Sequence, residues 1–321
     1  MTVAVALLLG TVLVLWLAPA ALVVGLRRRV EPRAALTAWL VLVTSTFLTL
    51  VAAVTVSLVP GHGPARRIVQ LLQHCWVAFS HGELPSVDAL VGLTGVALLV
   101  LTSTRVLLAG ARRVRSQRGT HQRHLDALRG IARVEPGRHP LLWLEYPEPL
   151  AYSVACAGAP RSVIVASRGL LDRLNAQDVA AVIDHERAHL RGHHHFLVGL
   201  ADALAAALPL LPLMRTSPDL VRTLVELAAD RTSAKAHGSA SVRAALLALS
   251  ARGGPQGSLA MGRDAVSVRL QWLEASRCSG LARTTAVSTI AGLTAALAPV
   301  AVGFGLVAAA GLVACGATVI G

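Results

Sequence analysis

Long apolar runs alternate with short clusters of arginine along this chain, and that alternation predicts most of its architecture. Residues 2–26 carry no charge and are followed at once by Arg27, Arg28 and Arg29. Residues 34–58 form a second uncharged run, and residues 87–110 a third, interrupted only by Asp88 and Arg105. Each is long enough for a helix to cross the hydrocarbon, which takes about 20 apolar residues. Arg112, Arg113, Arg115 and Arg118 follow the third run, and Arg105 can snorkel towards them. A cleaved leader would place its charge before a shorter apolar core, so residues 2–26 read as an uncleaved span despite the cleavage-like Ala18-Pro19-Ala20. Arginine concentrates on the inner side of a membrane. That rule puts the N-terminus outside and the loop 59–86 outside, with Ile68 to Phe79 as a candidate surface helix. Residues 284–321 carry no charge and predict a last span, kinked at Pro299. The expected domains are 1–110 with three spans, 111–283 as a cytoplasmic domain, and 284–321 as a C-terminal span.

The pattern changes inside 111–283. Residues 141–145, 151–157 and 162–166 read as short strands. The Gly158-Ala159-Pro160 turn joins the last two as a hairpin. Asn175 is a good N-cap, with Asp178 three residues on, for a helix running to about His193. A mostly apolar stretch, 194–214, is broken by Asp202, Pro209 and Pro212. A second helix is expected to open at Ser217 with Pro218 as its first residue and to run through Arg231. Residues 267–277 read as an amphipathic helix leading to the last span.

Composition narrows the function. The 321 residues are 54% hydrophobic and 15% charged, against about one quarter charged in soluble domains. The 30 Lys+Arg against 17 Asp+Glu give a net charge of +13, but the excess lies beside the apolar runs, where topology accounts for it. Aromatic residues are 3%, too few for stacking platforms, so direct nucleic-acid binding is not expected. The four cysteines, Cys75, Cys156, Cys278 and Cys315, show no pairing pattern. Lys235 is the one lysine, a usage that fits a bacterium with a GC-rich genome.

The chemistry lies in His185-Glu186-Arg187-Ala188-His189. Histidines at i and i+4 share a helical face and can grip one metal, and the glutamate beside the first is placed as general base for an attacking water. A catalytic zinc takes a third protein ligand and keeps one position open. Glu226 on the second helix is the candidate, and Asp230 one turn on is placed to orient a histidine. The two helices must then share one side of the membrane, with 194–214 lying along or dipping into it.

This order of features resembles the BlaR/MecR-type membrane metallopeptidases, the zinc-dependent antirepressor family of gluzincins. That family is related to the membrane proteases of prenylated proteins and to heat-shock membrane proteases. The resemblance rests on Ala151-Tyr152-Ser153, SVIVASRGLL (162–171), DVAAVIDHERAHLRGHH (178–194), Pro209-Leu210-Leu211-Pro212 and Glu226-Leu227-Ala228-Ala229-Asp230, and covers roughly residues 1–310. It implies a mainly α membrane protein of about four spans, with a cytoplasmic α+β gluzincin-like domain inserted before the last. It also implies Zn2+ on His185, His189 and Glu226, and Glu186 as the catalytic acid/base.

Two departures stand out. The family's sensors carry a penicillin-binding domain after the last span, and a sensor-less member in the bacterial plasma membrane is the expectation here. Where family members often place an aspartate after the second histidine, this chain has His193, His194 and His195, read as a polar edge at the membrane surface. The strand Ser162, Val163, Ile164, Val165, Ala166 is the candidate edge for a substrate added as a further strand. Arg231 and Tyr152 are named for the oxyanion without a geometric reason. The function expected is a zinc endopeptidase in the lipid bilayer, cutting a cytoplasmic or membrane-proximal protein, with a repressor or the chain itself as substrate. The alternative is a non-catalytic signalling or scaffold protein with a structural metal.

Overall fold

A computed structural model describes residues 2–58, 87–130, 132–155, 162–250, 259–275, 297–302 and 305. The loop 59–86, expected outside the membrane, the turn at 158–160 and most of the final apolar run fall outside the described residues. Helix α1 (Thr2–Arg27) and helix α2 (Pro32–Leu58) form a hairpin. Its turn is a Schellman motif: the Val30 N–H donates to the Gly25 carbonyl at 3.0 Å and the Arg29 N–H to the Leu26 carbonyl at 3.1 Å. Arg29 takes the left-handed position, at φ 58°. Helix α3 (Val87–Arg129) is a single helix of 43 residues, about 65 Å long, and residues 110 and 111 both lie within it. The stretches Leu7–Arg27, Pro32–Thr55 and Leu93–Ser116 are each long and apolar enough to cross a membrane.

The end of α3 delivers Leu128 to a four-stranded sheet: β1 (Arg133–Glu135), β2 (Leu141–Leu144), β3 (Ala151–Val154) and β4 (Val163–Ser167). The spatial order is β1-β2-β4-β3. β3 and β4 form the expected antiparallel pair, with Val154 opposite Val163, whereas β2 and β4 run parallel. The topology corrects the edge-strand expectation for Ser162 to Ala166. β4 is an interior strand bonded on both sides, and all five of its residues are buried. Ile164, Val165 and Ala166 have no exposed surface; a strand so apolar throughout belongs in the middle of a sheet. The edge on that side is β3. Strand β1 escaped prediction because its three residues are all exposed and show no alternation.

A short helix, α4 (Arg168–Arg173), leads into α5 (Ala176–Arg191). The Asn175 side chain accepts the Asp178 N–H at 2.9 Å, as the N-cap reading requires. Helix α6 (His194–Ala207) and helix α7 (Pro212–His237) then go out and come back. At 14 residues α6 is too short to span a bilayer, and α7 returns the chain to α5. The two helices that carry His185, His189 and Glu226 therefore meet with no spanning segment between them.

The start of α7 needs correction, because the helix begins at Pro212 and Pro218 lies inside it. Pro212 is an equally good first residue, and burial of Leu213 and Met214 among α1, α2 and α6 draws the extra turns into the helix. Trp39 of α2 seals this cluster with no exposed surface, its indole N–H donating to Ser217 Oγ at 2.8 Å. Helices α8 (Ser239–Ser250) and α9 (Leu259–Ala275) complete the described domain. α9 opens eight residues before the predicted 267.

Candidate metal centre

Burial of Val179, Val182, Ile183 and Leu190 docks one face of α5 on the sheet. The neighbouring face meets α7, and there His185, His189 and Glu226 converge. Their ligand atoms lie within 4.8 Å of one another. His185 Nε2 is 3.1 Å from His189 Nε2, and each is 3.4 Å from a Glu226 carboxylate oxygen. Two imidazole nitrogens and one carboxylate oxygen around one point are a zinc donor set. The three residues fit a single metal.

Each histidine is oriented from behind. His185 Nδ1 lies 3.0 Å from Asp230 Oδ1, so its N–H donates to the carboxylate and leaves Nε2 free to ligate. His189 Nδ1 lies 3.0 Å from Nδ1 of buried His194. For His189 Nε2 to offer a lone pair its own Nδ1–H must donate, and His194 then accepts. Burial lowers the pKa of His189 to about 3 and of His194 to about 4, so both rings are neutral. This corrects the surface-edge reading of the histidine run at His194, while His193 and His195 are exposed. His194, from the stretch after the second histidine where family members often carry an aspartate, stands behind His189. A tight turn puts it there: His193 is left-handed at φ 51°, and a Cβ on Gly192 would meet His194 Nε2 at 2.3 Å.

The electrostatics favour a cation. Burial opposes charge on His185, yet hydrogen bonds to Asp230 and Glu226 raise its pKa to about 9. Burial likewise opposes ionisation of Glu226, but His185 and Arg269 hold its carboxyl far below the usual range. Asp230 is lowered against its own burial, chiefly by the Arg269 hydrogen bonds. The field that makes His185 hold a proton is the field that attracts a metal.

Arg269, from α9, grips Asp230 with Nε and one terminal nitrogen, both at 2.7 Å, and reaches Glu226 with the other at 3.0 Å. The guanidinium fork matches a carboxylate. It neutralises one of the two acids and leaves the other to balance a charge on His185 or on a metal. Sequence reasoning passed over it as part of a packing helix. The available signal was a lone arginine between Val266, Leu270 and Leu273, which pack against α5 and α8.

Glu186 is not among the ligands; it faces the neighbouring cavity of about 300 Å³, with Ala151, His185, Glu226 and Arg269 in the wall. Burial raises its carboxyl pKa, opposed by the His185 charge and by the hydroxyl and backbone of Ser153. A half-buried carboxyl that takes up a proton more readily than usual is suited to acid/base work. Ser153 also holds His195, at 3.2 Å from its Nε2; both residues were named from sequence, but neither was given a place at the site.

The two oxyanion candidates fall away. Arg231 pairs with Glu31 at 2.7 Å, at the turn between α1 and α2. Tyr152 packs with Leu128, Leu142 and Val165 on the sheet face opposite α5, as strand alternation dictates when Ala151 faces the cavity.

Known proteins point the same way. The family model described as Peptidase family M48 matches residues 141–250, which hold all three ligand candidates and Glu186. Over 144 residues the chain is 27% identical to a protein named Protease HtpX homolog, from Streptococcus thermophilus (strain ATCC BAA-491 / LMD-9). That alignment covers 44% of this chain and 47% of the relative, so the chain spans about half the length of the curated protein it matches. No solved structure matches. Together with three helices apolar enough to cross a membrane, these likenesses support a membrane-associated metallopeptidase. The matched family is M48, whereas the sequence reading had named the antirepressor type.

Proposed function

We propose that this chain is an integral-membrane zinc endopeptidase. The observation that carries the reading is the convergence of His185, His189 and Glu226, with Glu186 beside them but outside the donor set. Zinc held there would supply a Lewis acid that polarises the scissile carbonyl and lowers the pKa of water. Glu186 takes the proton from the attacking water and passes it to the leaving nitrogen. Its raised pKa suits both halves of that task. Asp230 and His194 hold the two histidines in their ligating tautomers. A structural-metal role gives Glu186 nothing to do.

An extended substrate pairs with β3. β3 is the edge strand of the sheet among the described residues, and Ala151 borders the cavity. Main-chain hydrogen bonds to that edge would lay a peptide across Glu186 with little demand on its side chains. The arginine clusters at 27–29 and 112–118 support a cytoplasmic centre and an N-terminus outside. A cytoplasmic or membrane-proximal protein is then the substrate class. A repressor is the specific candidate by the BlaR/MecR resemblance.

Chelation tests the reading. Cleavage of an unfolded probe such as casein is expected to stop when purified protein is dialysed against a chelator, and to return with added zinc. Undiminished cleavage by protein verified to be metal-free would overturn it.

A further inference from the structure

Between α3 and α6 runs a groove of about 840 Å³, remote from the metal centre. Its lining combines Arg105, Arg112 and Arg113 with Leu108 and a floor of small residues, among them Ala203 and Ala206. One carboxylate, Asp202, lies in that wall. It is already held by Arg113 and, at 2.7 Å, by Arg222 of α7. Arg105 and Arg112 have no carboxylate partner among the described residues.

Depth makes this informative. Twenty residues counted inwards from Asp88 end at Leu108, so Arg105 sits about one turn inside the hydrocarbon boundary. Arg112 lies two turns further on along the same face, about 10.5 Å away. An arginine at that depth is costly unless a counter-charge or water reaches it. Arg105 and Arg112 are both exposed, and the most apolar stretch of Leu93–Ser116 is not buried by protein, so bilayer lipid surrounds much of this helix.

We propose that this groove binds an anionic phospholipid. Its phosphate sits between Arg105 and Arg112, and its acyl chains run along Leu108 and the alanine floor towards the membrane centre. Three arginines against one aspartate leave two positive charges in the lining. A zwitterionic headgroup would bring its own cation into that field, whereas phosphatidylglycerol brings none. Basic pockets between helices at the inner leaflet are suited to such headgroups. Because Asp202 ties α3 to α6 and α7, the bound lipid would brace the helix that carries Glu226.

Native mass spectrometry of the full chain, released from detergent with phosphatidylglycerol or phosphatidylcholine added, tests this directly. Wild type is expected to retain phosphatidylglycerol at least tenfold better than phosphatidylcholine. The double variant Arg105→Gln/Arg112→Gln is expected to lose that preference while keeping the wild-type helical circular-dichroism spectrum and melting temperature, which shows that the fold is intact. Equal retention of the two lipids by wild type would overturn the proposal. So would an undiminished preference in the double variant, or displacement of the lipid by millimolar inorganic phosphate, which would identify a free-phosphate site. None of these readouts uses proteolysis, so the outcome stands apart from that of the peptidase reading.

Discussion

Glu186→Gln is expected to leave the protein folded and metal-bound, and to cut peptide hydrolysis about a thousandfold. The substitution keeps shape and hydrogen-bonding reach but removes the site that accepts a proton from water. General acid/base groups typically contribute 10²- to 10⁴-fold, and here one carboxyl serves both directions of transfer. The ligand set of His185, His189 and Glu226 is untouched, so metal content is the internal control. Side-by-side assays of zinc content and casein cleavage check it. A variant that loses zinc as well would show Glu186 to be part of the metal's support rather than its base. A variant that still cleaves at the wild-type rate would remove Glu186 from the mechanism.

Asp230→Ala should cost more in stability than any substitution among the ligands. Asp230 is 2% exposed and stands between His185 Nδ1 and the guanidinium of Arg269. Removing it leaves buried Arg269 with Glu226 as its one carboxylate, a loss of at most about 3–5 kcal/mol, and frees the His185 ring to rotate. Loss of such a supporting carboxylate typically weakens metal binding 10- to 100-fold. The two effects separate in a double variant. Asp230→Ala/Arg269→Leu removes the arginine's charge and is expected to recover much of the melting temperature, but zinc affinity stays low because His185 is still unsupported. Thermal melts of the metal-free proteins and competitive zinc titrations make the comparison. If the double variant melts no higher than Asp230→Ala, the buried ion pair is not what Asp230 contributes.

Local periodicity and spacing made much of this legible. The His-x-x-x-His spacing placed two ligands on one face of α5, the Asn175 cap located its start, and the apolar runs marked the spans. What stayed hidden depends on contacts between segments far apart in sequence. Arg269 is 39 residues from Asp230 and sits on a helix whose local pattern shows only amphipathic packing. The role of His194 follows from a backbone turn at Gly192 and His193 that brings it back onto His189. Strand order is equally non-local. SVIVA reads the same at an edge or in the middle, and the parallel partner β2 that buries it lies some twenty residues earlier. Arg231 was named with no geometric reason, and one step along α7 from Asp230 turns its side chain to Glu31.

The central claim is that α5 and α7 meet around one metal ion. Elemental analysis of the detergent-purified chain, wild type beside Glu226→Ala, tests it without any need to know the substrate or its trigger. The account predicts about one zinc per wild-type chain and a large loss in the variant. A wild type that takes up no metal when zinc is supplied, or a variant that holds as much as wild type, would contradict it.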